Sequence, residues 1–274
     1  MPSVLVTGAS RGIGRSIVAR LASDGWDVFA GVRTDADAAA VSAIPRVRGV
    51  LLDVTSGEHV AALADSLPDR LDGVVNNAGI VVGGPLEALS VNELRRQLEV
   101  NVIGQLAVTQ AVLPRLRHSR GRIVFISSVN GKIATPMIGA YCASKFALEA
   151  AADALRMELQ PWHIQVSVVE PAQTATDIWD DAERTVEELE AAMTPGQRVL
   201  YAKHVAGFRK MIPMSRKLAV PAERVADVVH GALTARRPRA RYAVGLGPRL
   251  QIALIGNLPT RATDIVLRKA FGQP

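Results

Sequence analysis

Short apolar runs and longer amphipathic stretches alternate along this chain almost from end to end. The short runs are apolar at every position, which is typical of strands whose two faces are both covered. In the longer stretches, apolar positions three and four residues apart are typical of helices. Strands are predicted at residues 4–7, 28–32, 49–53, 73–76, 122–127, 165–169 and 242–244, and helices at 13–23, 58–66, 91–116 and 141–159.

This alternation predicts a single α/β domain over residues 1–274, built on one doubly wound parallel sheet of about seven strands with helices on both faces. Ligands of such sheets bind at the carboxyl ends of the strands. The pattern loosens over residues 176–218, after a strand end, and this insertion is predicted to cover the substrate as a helical lid. The tail over residues 246–274 is apolar but interrupted by Gly256 and Pro259, so it is expected to pack on the body or on a partner subunit.

The amino-acid composition limits where this domain is expected to be located and which partners it is expected to have. With 49% hydrophobic residues the chain can bury a substantial core, yet no apolar run approaches the roughly 18 residues of a membrane-spanning helix. The chain enters its first predicted strand at once, so no targeting segment is expected and the expected location is cytoplasmic. The single cysteine, Cys142, is interpreted as a packing residue, and the five histidines lack metal-ligand spacing, so no metal is expected.

A net charge of +6 and an isoelectric point near 9.9 come mainly from the C-terminal part of the chain. From Arg198 onward, fifteen arginines and lysines stand against three acids, whereas residues 177–190 hold seven acids against one arginine. The main interpretation is a solvated basic surface; steering of an anionic cofactor and peripheral contact with a membrane surface are the alternatives. Nucleic acid is not an expected partner, because aromatic residues make up only 4% of the chain and no recognition module is visible.

A glycine-rich turn joins the first predicted strand to the first predicted helix. Glycines let the backbone approach a pyrophosphate closely, and the helix N-terminus favours its negative charge. The turn therefore predicts a dinucleotide-binding site, with a plain strand-to-helix corner as the alternative. Its cofactor-binding candidates are Gly8, Ser10, Arg11, Gly12, Ile13 and Gly14.

The end of the second predicted strand carries Arg33 at the point where a carboxylate would bind the ribose hydroxyls of NAD. An arginine there suits the 2′-phosphate of NADP, and Arg11 would add a second positive contact. NADP is therefore the expected cofactor, and NAD is the alternative if Arg33 is an ordinary exposed arginine.

Tyr141 and Lys145, four residues apart in a predicted helix, lie on one face of it, one turn from each other. A nearby ammonium lowers the pKa of a phenol from its ordinary value of about 10, which suits a tyrosine that exchanges a proton. The pair lies downstream of a strand that ends in Ser127 and Ser128. Together with the glycine-rich turn, it predicts hydride transfer to or from a carbonyl group.

Seven motifs over residues 3–245 resemble, in order and spacing, those of the short-chain dehydrogenase/reductase family, whose Rossmann fold agrees with the predicted sheet. Three segments, Leu-Asp-Val, Tyr-Cys-Ala-Ser-Lys-Phe and Val-Val-Glu-Pro, resemble most the branch of retinol, 17β-hydroxysteroid and 3-hydroxybutyrate dehydrogenases. The seven motifs are Thr7-Gly-x3-Gly-x-Gly14, Asp53-Val54, Asn76-Asn-Ala-Gly79, Asn101, Ser128, Tyr141-x3-Lys145 and Pro171 with Thr176.

The resemblance implies catalytic roles for four residues. Tyr141 would act as general acid in reduction and general base in oxidation, and Lys145 would lower its pKa and hold the nicotinamide ribose. Ser128 would donate a hydrogen bond to the carbonyl oxygen, since Ser127 points to the opposite face of the strand. Asn101 would position a water that links Lys145 to solvent, with a purely structural role for this asparagine as the alternative.

The resemblance also implies cofactor contacts beyond the turn, made in part by Tyr141 and Lys145. Ala172 stands where the family usually has glycine, and it would strain the loop if that position needs a positive φ. The other implied contacts are Asp53 and Val54 to adenine, Asn77, Ala78 and Gly79 along the adenosine side, and Thr174 and Thr176 to the nicotinamide carboxamide.

The leading functional prediction is an oxidoreductase that interconverts an alcohol and its carbonyl compound on an apolar, steroid-, retinoid- or lipid-like substrate. A non-catalytic NADP(H) sensor or scaffold of the same fold is the alternative, although such a protein would need no proton relay. A nucleotide-sugar epimerase or dehydratase ranks lower, because such chains are usually longer and have a different glycine spacing. The resemblance further implies a homodimer or homotetramer formed through the helices that contain Asn101 and Tyr141.

Overall fold

Seven parallel strands form the central sheet of the computed structural model, which describes residues 1–175 and 182–273. These strands are β1 (Ser3–Thr7), β2 (Asp27–Val32), β3 (Val47–Leu51), β4 (Gly73–Asn76), β5 (Arg122–Ile126), β6 (Gln165–Glu170) and β9 (Arg241–Ala243), while the short β7 (Thr174–Ala175) and β8 (Val220–Pro221) pair separately. The order in the main sheet is β3-β2-β1-β4-β5-β6-β9, so the predicted doubly wound parallel sheet is confirmed.

Helices cover both faces of this sheet. They are α1 (Gly12–Ser23), α2 (Asp35–Ser42), α3 (Gly57–Ser66), α4 (Val91–Leu98), α5 (Gly104–Ser119), α6 (Gly139–Glu158), α7 (Ala182–Ala192), α8 (Pro195–Leu218), α9 (Ala222–Thr234), α10 (Leu246–Ile255) and α11 (Thr260–Ala270). Alternate residues of β1 serve opposite faces: Val4 and Val6 pack with α1 and α9, whereas Leu5 packs with α3, α5 and α6. This burial on two sides is the reason that the strands are apolar at every position.

The third strand begins and ends two residues earlier than predicted. Its register is set by β2, because Val28 lies opposite Val47 and Val32 lies opposite Leu51. Asp53, predicted as the last residue of this strand, therefore lies beyond its carboxyl end. That position is in the crevice where ligands of doubly wound sheets bind.

The single helix predicted over residues 91–116 consists of three segments. A π-helical turn, Glu99–Ile103, separates α4 from α5 and contains the buried Asn101. A Cβ on Gly104 would lie 2.7 Å from the carbonyl oxygen of Val54, so α5 begins at a glycine because the helix passes close to the loop after β3. Short π-helical turns of this kind recur at functional sites.

Two helices, α7 and α8, follow the end of β6 within the insertion that was predicted as a lid. Val186, Met193, Val205 and Ile212 form a buried apolar cluster with Met137, which precedes α6. These two helices are therefore packed over the segment that leads into Tyr141.

The C-terminal tail folds into α10 and α11 and packs on the body of the protein. Ile252 and Leu267 contact Val129 and Ile133, which follow β5. None of the helices in residues 1–175 and 182–273 is long and apolar enough to cross a membrane.

Candidate active site

The glycine-rich turn between β1 and α1 has a backbone conformation that favours glycine at two points. Gly8 and Gly12 have φ values of +63° and +54°, in the left-handed region. A Cβ on Gly14 would lie 2.1 Å from the carbonyl oxygen of Gly8, closer than any real Cβ contact. The three glycines of the motif therefore produce a tight turn that brings the start of α1 against the end of β1.

Side chains from β1 and from the segment after β4 hold this turn in place. The Asn77 Nδ2 donates hydrogen bonds to the carbonyl oxygens of Thr7 (2.9 Å) and Gly8 (3.0 Å). The Thr7 hydroxyl in turn accepts hydrogen bonds from the backbone N–H groups of Asn77 (3.0 Å) and Ala78 (2.9 Å). The sequence analysis assigned no role to Thr7, although its position directly before Gly8 could have indicated one.

The geometry of the turn fits the pyrophosphate of a dinucleotide. The N-cap residue of α1 is Arg11, and its side chain makes no cap hydrogen bond to the first helical turn. The first N–H groups of a helix have no acceptor inside it, so those of α1 are available to an anion. Ser10 is half-buried beside them, and Ile13 is anchored in the core by its apolar side chain.

At the adenosine end of the crevice the structure brings Arg33 and Asp53 near each other. Burial acts to raise the pKa of Asp53, but hydrogen bonds from Thr55 and the charge of Arg33 lower it overall. The Asp53 Oδ1 accepts hydrogen bonds from the backbone N–H (2.9 Å) and the hydroxyl (2.7 Å) of Thr55. Val54 is buried against α5. An ionised Asp53 and an exposed Arg33 thus stand side by side after β2 and β3.

Asn101 lies in the π-helical turn and connects two other parts of the site. Its Oδ1 accepts a hydrogen bond from the N–H of Ile80 (2.8 Å), and its Nδ2 donates to the carbonyl oxygen of Ile80 (3.0 Å). The Nδ2 also donates to the hydroxyl of Ser144 (3.1 Å), on α6. Gly79 lies beside the same side chain, since its Cβ would be 3.4 Å from the Oδ1. Asn101 therefore holds the loop after β4 against α6, and Ser144 is a member of this group that sequence reasoning missed.

Ser128, Tyr141 and Lys145 come together where β5 ends and α6 begins. Tyr141 lies in the first turn of α6, with the Ser128 side chain close enough to act on the pKa of its phenol. The Lys145 Nζ donates a hydrogen bond to the carbonyl oxygen of Ile126 (2.7 Å) and lies 5.6 Å from the centre of the Tyr141 ring. Ser127 points away from them, since its Oγ lies 2.7 Å from the Cβ position of Gly131.

Burial governs the protonation of this group. It raises the pKa of Tyr141 to about 12, with Cys142 adding to the increase and the Ser128 side chain opposing it. It also lowers the pKa of Lys145 to about 8, an effect that the charge of Glu149 opposes. The predicted lowering of the tyrosine pKa is therefore wrong for the protein alone, because the loss of solvation is the largest effect on this phenol.

The segment after β6 carries the residues expected at the nicotinamide end. Thr174 is buried, and its hydroxyl donates a hydrogen bond to the carbonyl oxygen of Ala172 (3.3 Å). Ala172 does not have a positive φ, and it packs with Val129 and Ile133, so alanine at this position does not strain the loop. Thr176 lies outside the described residues.

Among residues 1–175 and 182–273, no group of three or more histidine, cysteine, aspartate or glutamate side chains is arranged to hold a metal ion. The site consists of a backbone turn suited to phosphate, a charged pair at the adenosine end and a serine–tyrosine–lysine group. That combination on a doubly wound sheet defines the class of dinucleotide-dependent oxidoreductases.

The sequence model described as short chain dehydrogenase matches residues 2–187, and the chain therefore belongs to the short-chain dehydrogenase/reductase family. It is 39% identical over 249 residues to 3-amino-tetrahydro-pyrrolizinone reductase of Xenorhabdus hominickii, covering 89% of this chain and 86% of that protein. It is 34% identical to retinol dehydrogenase 5 of Mus musculus and 32% identical to 17-beta-hydroxysteroid dehydrogenase type 6 of Homo sapiens, in each case covering 99% of this chain and 89% of the relative. The predicted placement near that branch is confirmed.

Solved structures of the family show the same fold along nearly the whole chain. A short chain dehydrogenase from Burkholderia cenocepacia in complex with NADP superposes with a TM-score of 0.75 at 26% identity, covering 97% of both chains. A short chain dehydrogenase/reductase from Burkholderia phymatum in complex with NAD superposes with a TM-score of 0.77 at 26% identity, covering 97% of this chain and 95% of that one.

Proposed function

We propose that this protein is an NADP(H)-dependent dehydrogenase or reductase that interconverts an alcohol and its carbonyl compound on an apolar substrate. The observation that carries the proposal is the group of Ser128, Tyr141 and Lys145 at the carboxyl end of β5. The serine side chain acts on the pKa of the tyrosine, and the lysine is fixed by Ile126 with its ammonium 5.6 Å from the centre of the tyrosine ring. A protein that only binds a nucleotide has no need of such a group.

Tyr141 holds the proton that the reaction moves. A pKa of about 12 keeps the phenol protonated at neutral pH, which suits a general acid that protonates the oxygen of a reduced carbonyl. Ser128 donates a hydrogen bond to that oxygen as negative charge develops on it. The nicotinamide supplies or accepts the hydride when it is bound. The protonated form of Tyr141 is the one that carbonyl reduction requires.

The cofactor is NADP(H), held along the crevice described above. The glycine-rich turn and the N-terminus of α1 bind the pyrophosphate, and Arg33 binds the 2′-phosphate at the adenosine end. The effect of Arg33 on the pKa of Asp53 supports this assignment, since it requires the guanidinium to lie near a residue that we place on the adenosine side. Lys145 binds the nicotinamide ribose and Thr174, with Thr176, the carboxamide. Asp53, Val54, Asn77, Ala78 and Gly79 line the adenosine side.

The proposal of an apolar substrate rests on the apolar character of α7 and α8, which pack over the segment that leads into Tyr141. The α7–α8 helices act as its lid, and their inner cluster contains Met193 and Val205 together with Met137. The hydroxyl of Tyr201, on α8, donates a hydrogen bond to the Glu87 carboxylate (2.5 Å), which ties the lid to the loop after β4. The printed names of two relatives, a retinol and a hydroxysteroid dehydrogenase, support the same class of substrate.

The test is the absorbance change of NADPH and NADH, run in parallel, with a panel of steroid, retinoid and simple aliphatic carbonyl compounds. Tyr141→Phe should reduce turnover by about 100-fold or more, which is the usual contribution of a general acid. Tyr242→Phe is the matched control, because its hydroxyl contacts the backbone of Arg239 outside the site. Undiminished turnover in folded Tyr141→Phe would refute the assignment, and cofactor binding without any turnover would favour the sensor.

A further inference from the structure

A buried charged cluster lies behind the catalytic group, and none of its members contacts the proposed substrate space. Glu149 is one helical turn beyond Lys145 on α6, and Glu170 is the last residue of β6. Both carboxyl groups are nearly excluded from solvent, with relative exposures of 4% and 3%. Buried acids are rare unless cations or hydrogen bonds compensate for the loss of solvation.

Two cations hold one oxygen of Glu149 in a fixed place. The Nζ of Lys132, in the loop after β5, and the Nε of Arg241, in β9, each lie 3.0 Å from Glu149 Oε2. Arg241 also approaches Glu170, with 3.5 Å between its Nε and Glu170 Oε1. The carboxylate of Glu149 is thus oriented from two sides by groups that come from separate parts of the chain.

The second oxygen of Glu149 lies near Gly131, in the loop after β5. It is 3.3 Å from the Cβ position of Gly131 and has no hydrogen-bond partner among the described residues. Glu149 and Lys145 are both buried and stand four residues apart on α6, a spacing at which Cβ atoms lie about 5–6 Å apart. The charge of Glu149 acts to raise the pKa of Lys145, which agrees with this placement.

Ion pairs compensate the charge of the buried Glu149 carboxylate, because Lys132 and Arg241 each lie 3.0 Å from its Oε2. Burial raises the pKa of Glu170, and the charge of Glu149 raises it further, while Lys132 and Arg241 act in the opposite direction. Burial and the neighbouring carboxylate therefore favour the protonated form of Glu170.

We propose that Glu149 is a positioning residue whose fixed, buried carboxylate holds Lys145 in the charged ammonium form. Without this charge, burial would favour the neutral amine, which stabilises neither the phenolate of Tyr141 nor a bound ribose hydroxyl as strongly as an ammonium does. The inference rests on the proposed function in one respect, because that reaction is what requires the charged ammonium. The charge of Lys145 itself is a property of the protein alone.

Several other charged groups surround the lysine and the cluster, and an experiment must separate their effects. Two of these groups, Tyr141 and Asp153, are on α6, and three come from other elements, namely Lys132, Glu170 and Arg241. In addition, Arg239 and Arg249 line an open cavity of about 250 Å³ beside Glu170. Asp153 is the useful control, because its Oδ2 also pairs with Arg241 (2.6 Å) but lies two turns from Lys145.

The direct test is the titration of Lys145 by NMR in protein labelled with ¹³C at the lysine ε carbon. The chain has only six lysines, so the signals can be separated, and Lys145→Met identifies the relevant one. The wild-type signal should titrate near pH 8. In Glu149→Gln the midpoint should fall by about one to two pH units. This is the effect expected from the interaction of two unit charges about 6 Å apart at an effective dielectric constant of about 20. Asp153→Asn should move it by less than about half a unit.

A second variant keeps the test decisive if Glu149→Gln does not fold. Lys132 is partly exposed, and Lys132→Met removes a cation that competes for Glu149, so the Lys145 midpoint should rise. The proposal is overturned if the midpoint in folded Glu149→Gln equals that of the wild type, if Asp153→Asn has the same effect, or if Lys132→Met produces no rise.

The activity profile then connects this result to catalysis. In the reductive direction, the alkaline fall in rate should follow the Lys145 midpoint and shift to lower pH in Glu149→Gln. If the NMR shifts are as expected but the wild type reduces no carbonyl compound, the proposed function fails while the role of Glu149 stands. If carbonyl reduction is observed but the NMR midpoint is unchanged, the role of Glu149 fails alone.

Discussion

Replacing Lys145 with methionine should make the cofactor-free protein more stable at neutral pH, although it removes a proposed catalytic group. Lys145 is 4% exposed, and burial lowers its pKa from 10.5 to about 8. At pH 7 the folded protein therefore holds a buried ammonium at the expense of its stability. Methionine has a similar length, carries no charge and suits a largely apolar environment.

The magnitude follows from the difference between the folded and unfolded pKa values. A decrease of about 2.5 units corresponds to about 3 kcal/mol of unfolding free energy, at about 1.4 kcal/mol per unit. Loss of the hydrogen bond to the Ile126 carbonyl should cost about 1–2 kcal/mol, because that oxygen is left without its donor. The net stabilisation expected at pH 7 is about 1–2 kcal/mol.

The sign of the pH dependence distinguishes stabilisation by removal of a buried charge from stabilisation by better packing of the methionine side chain. Because the folded pKa is lower than the unfolded one, the full penalty is present below pH 8 and decreases as the pH rises toward 10.5. Between pH 7 and pH 9.5 the unfolding free energy of the wild type should therefore increase by about 2 kcal/mol relative to that of Lys145→Met. Below pH 9.5 Tyr141 does not interfere, since its pKa is about 12.

The assay is thermal unfolding of both proteins, without cofactor, at pH 7 and pH 9.5. One kcal/mol shifts Tm by roughly 2–4 °C in chains of this size, so the difference in Tm should shrink by about 4–8 °C between the two pH values. Lys203→Met, at an exposed lysine on α8, is the control and should show no such change. An equal difference at both pH values would refute the reasoning, because it would mean that Lys145 is not a buried group with a lowered pKa.

Three further predictions concern the cofactor, the turn and the assembly. Arg33→Ala should raise the KM for NADPH by about tenfold and leave that for NADH nearly unchanged, as parallel initial-rate measurements will show. Gly14→Ala should lower the unfolding free energy by about 1–3 kcal/mol in denaturant titrations and weaken cofactor binding, because its Cβ would lie 2.1 Å from the Gly8 carbonyl oxygen. If the predicted homodimer forms through α5 and α6, the exposed Phe146, 43% accessible in the single chain, becomes buried, and Phe146→Glu should yield a monomer in light scattering.

The architecture was predictable from the sequence because the central strands β1, β4 and β5 of the main sheet are covered on two faces. Val4, Leu5 and Val6 are apolar in succession because they serve opposite cores, and this pattern distinguishes a parallel sheet from one with a solvated face. The exact ends of the elements were less predictable. The end of β3 depends on where its pairing with β2 stops. This pairing is a contact between two strands, so the residues around the end of β3 do not by themselves indicate it.

The candidate site was predictable to the extent that its members are neighbours in the chain. The spacing of Tyr141 and Lys145 fixes their proximity on any helix, and the glycine-rich turn requires only that a strand precede it and a helix follow. The π-helical turn around Asn101 was not predictable in this way. It depends on Ile80 and Ser144, which lie 21 residues before it and 43 residues after it.

The protonation of the site could not be derived from the spacing of its residues, because it depends on how much solvent the fold removes. The sequence places an ammonium beside a phenol and so suggests a lowered tyrosine pKa, but the folded protein buries the lysine, half-buries the tyrosine and raises the pKa of the phenol to about 12. A positive charge near the phenol would lower this pKa again. In our proposal, Glu149 helps Lys145 to keep such a charge, and an oxidised nicotinamide would add another when it is bound. The protonated phenol would then prevail in the cofactor-free protein, to a degree that depends on the balance of Glu149, Glu170, Lys132 and Arg241.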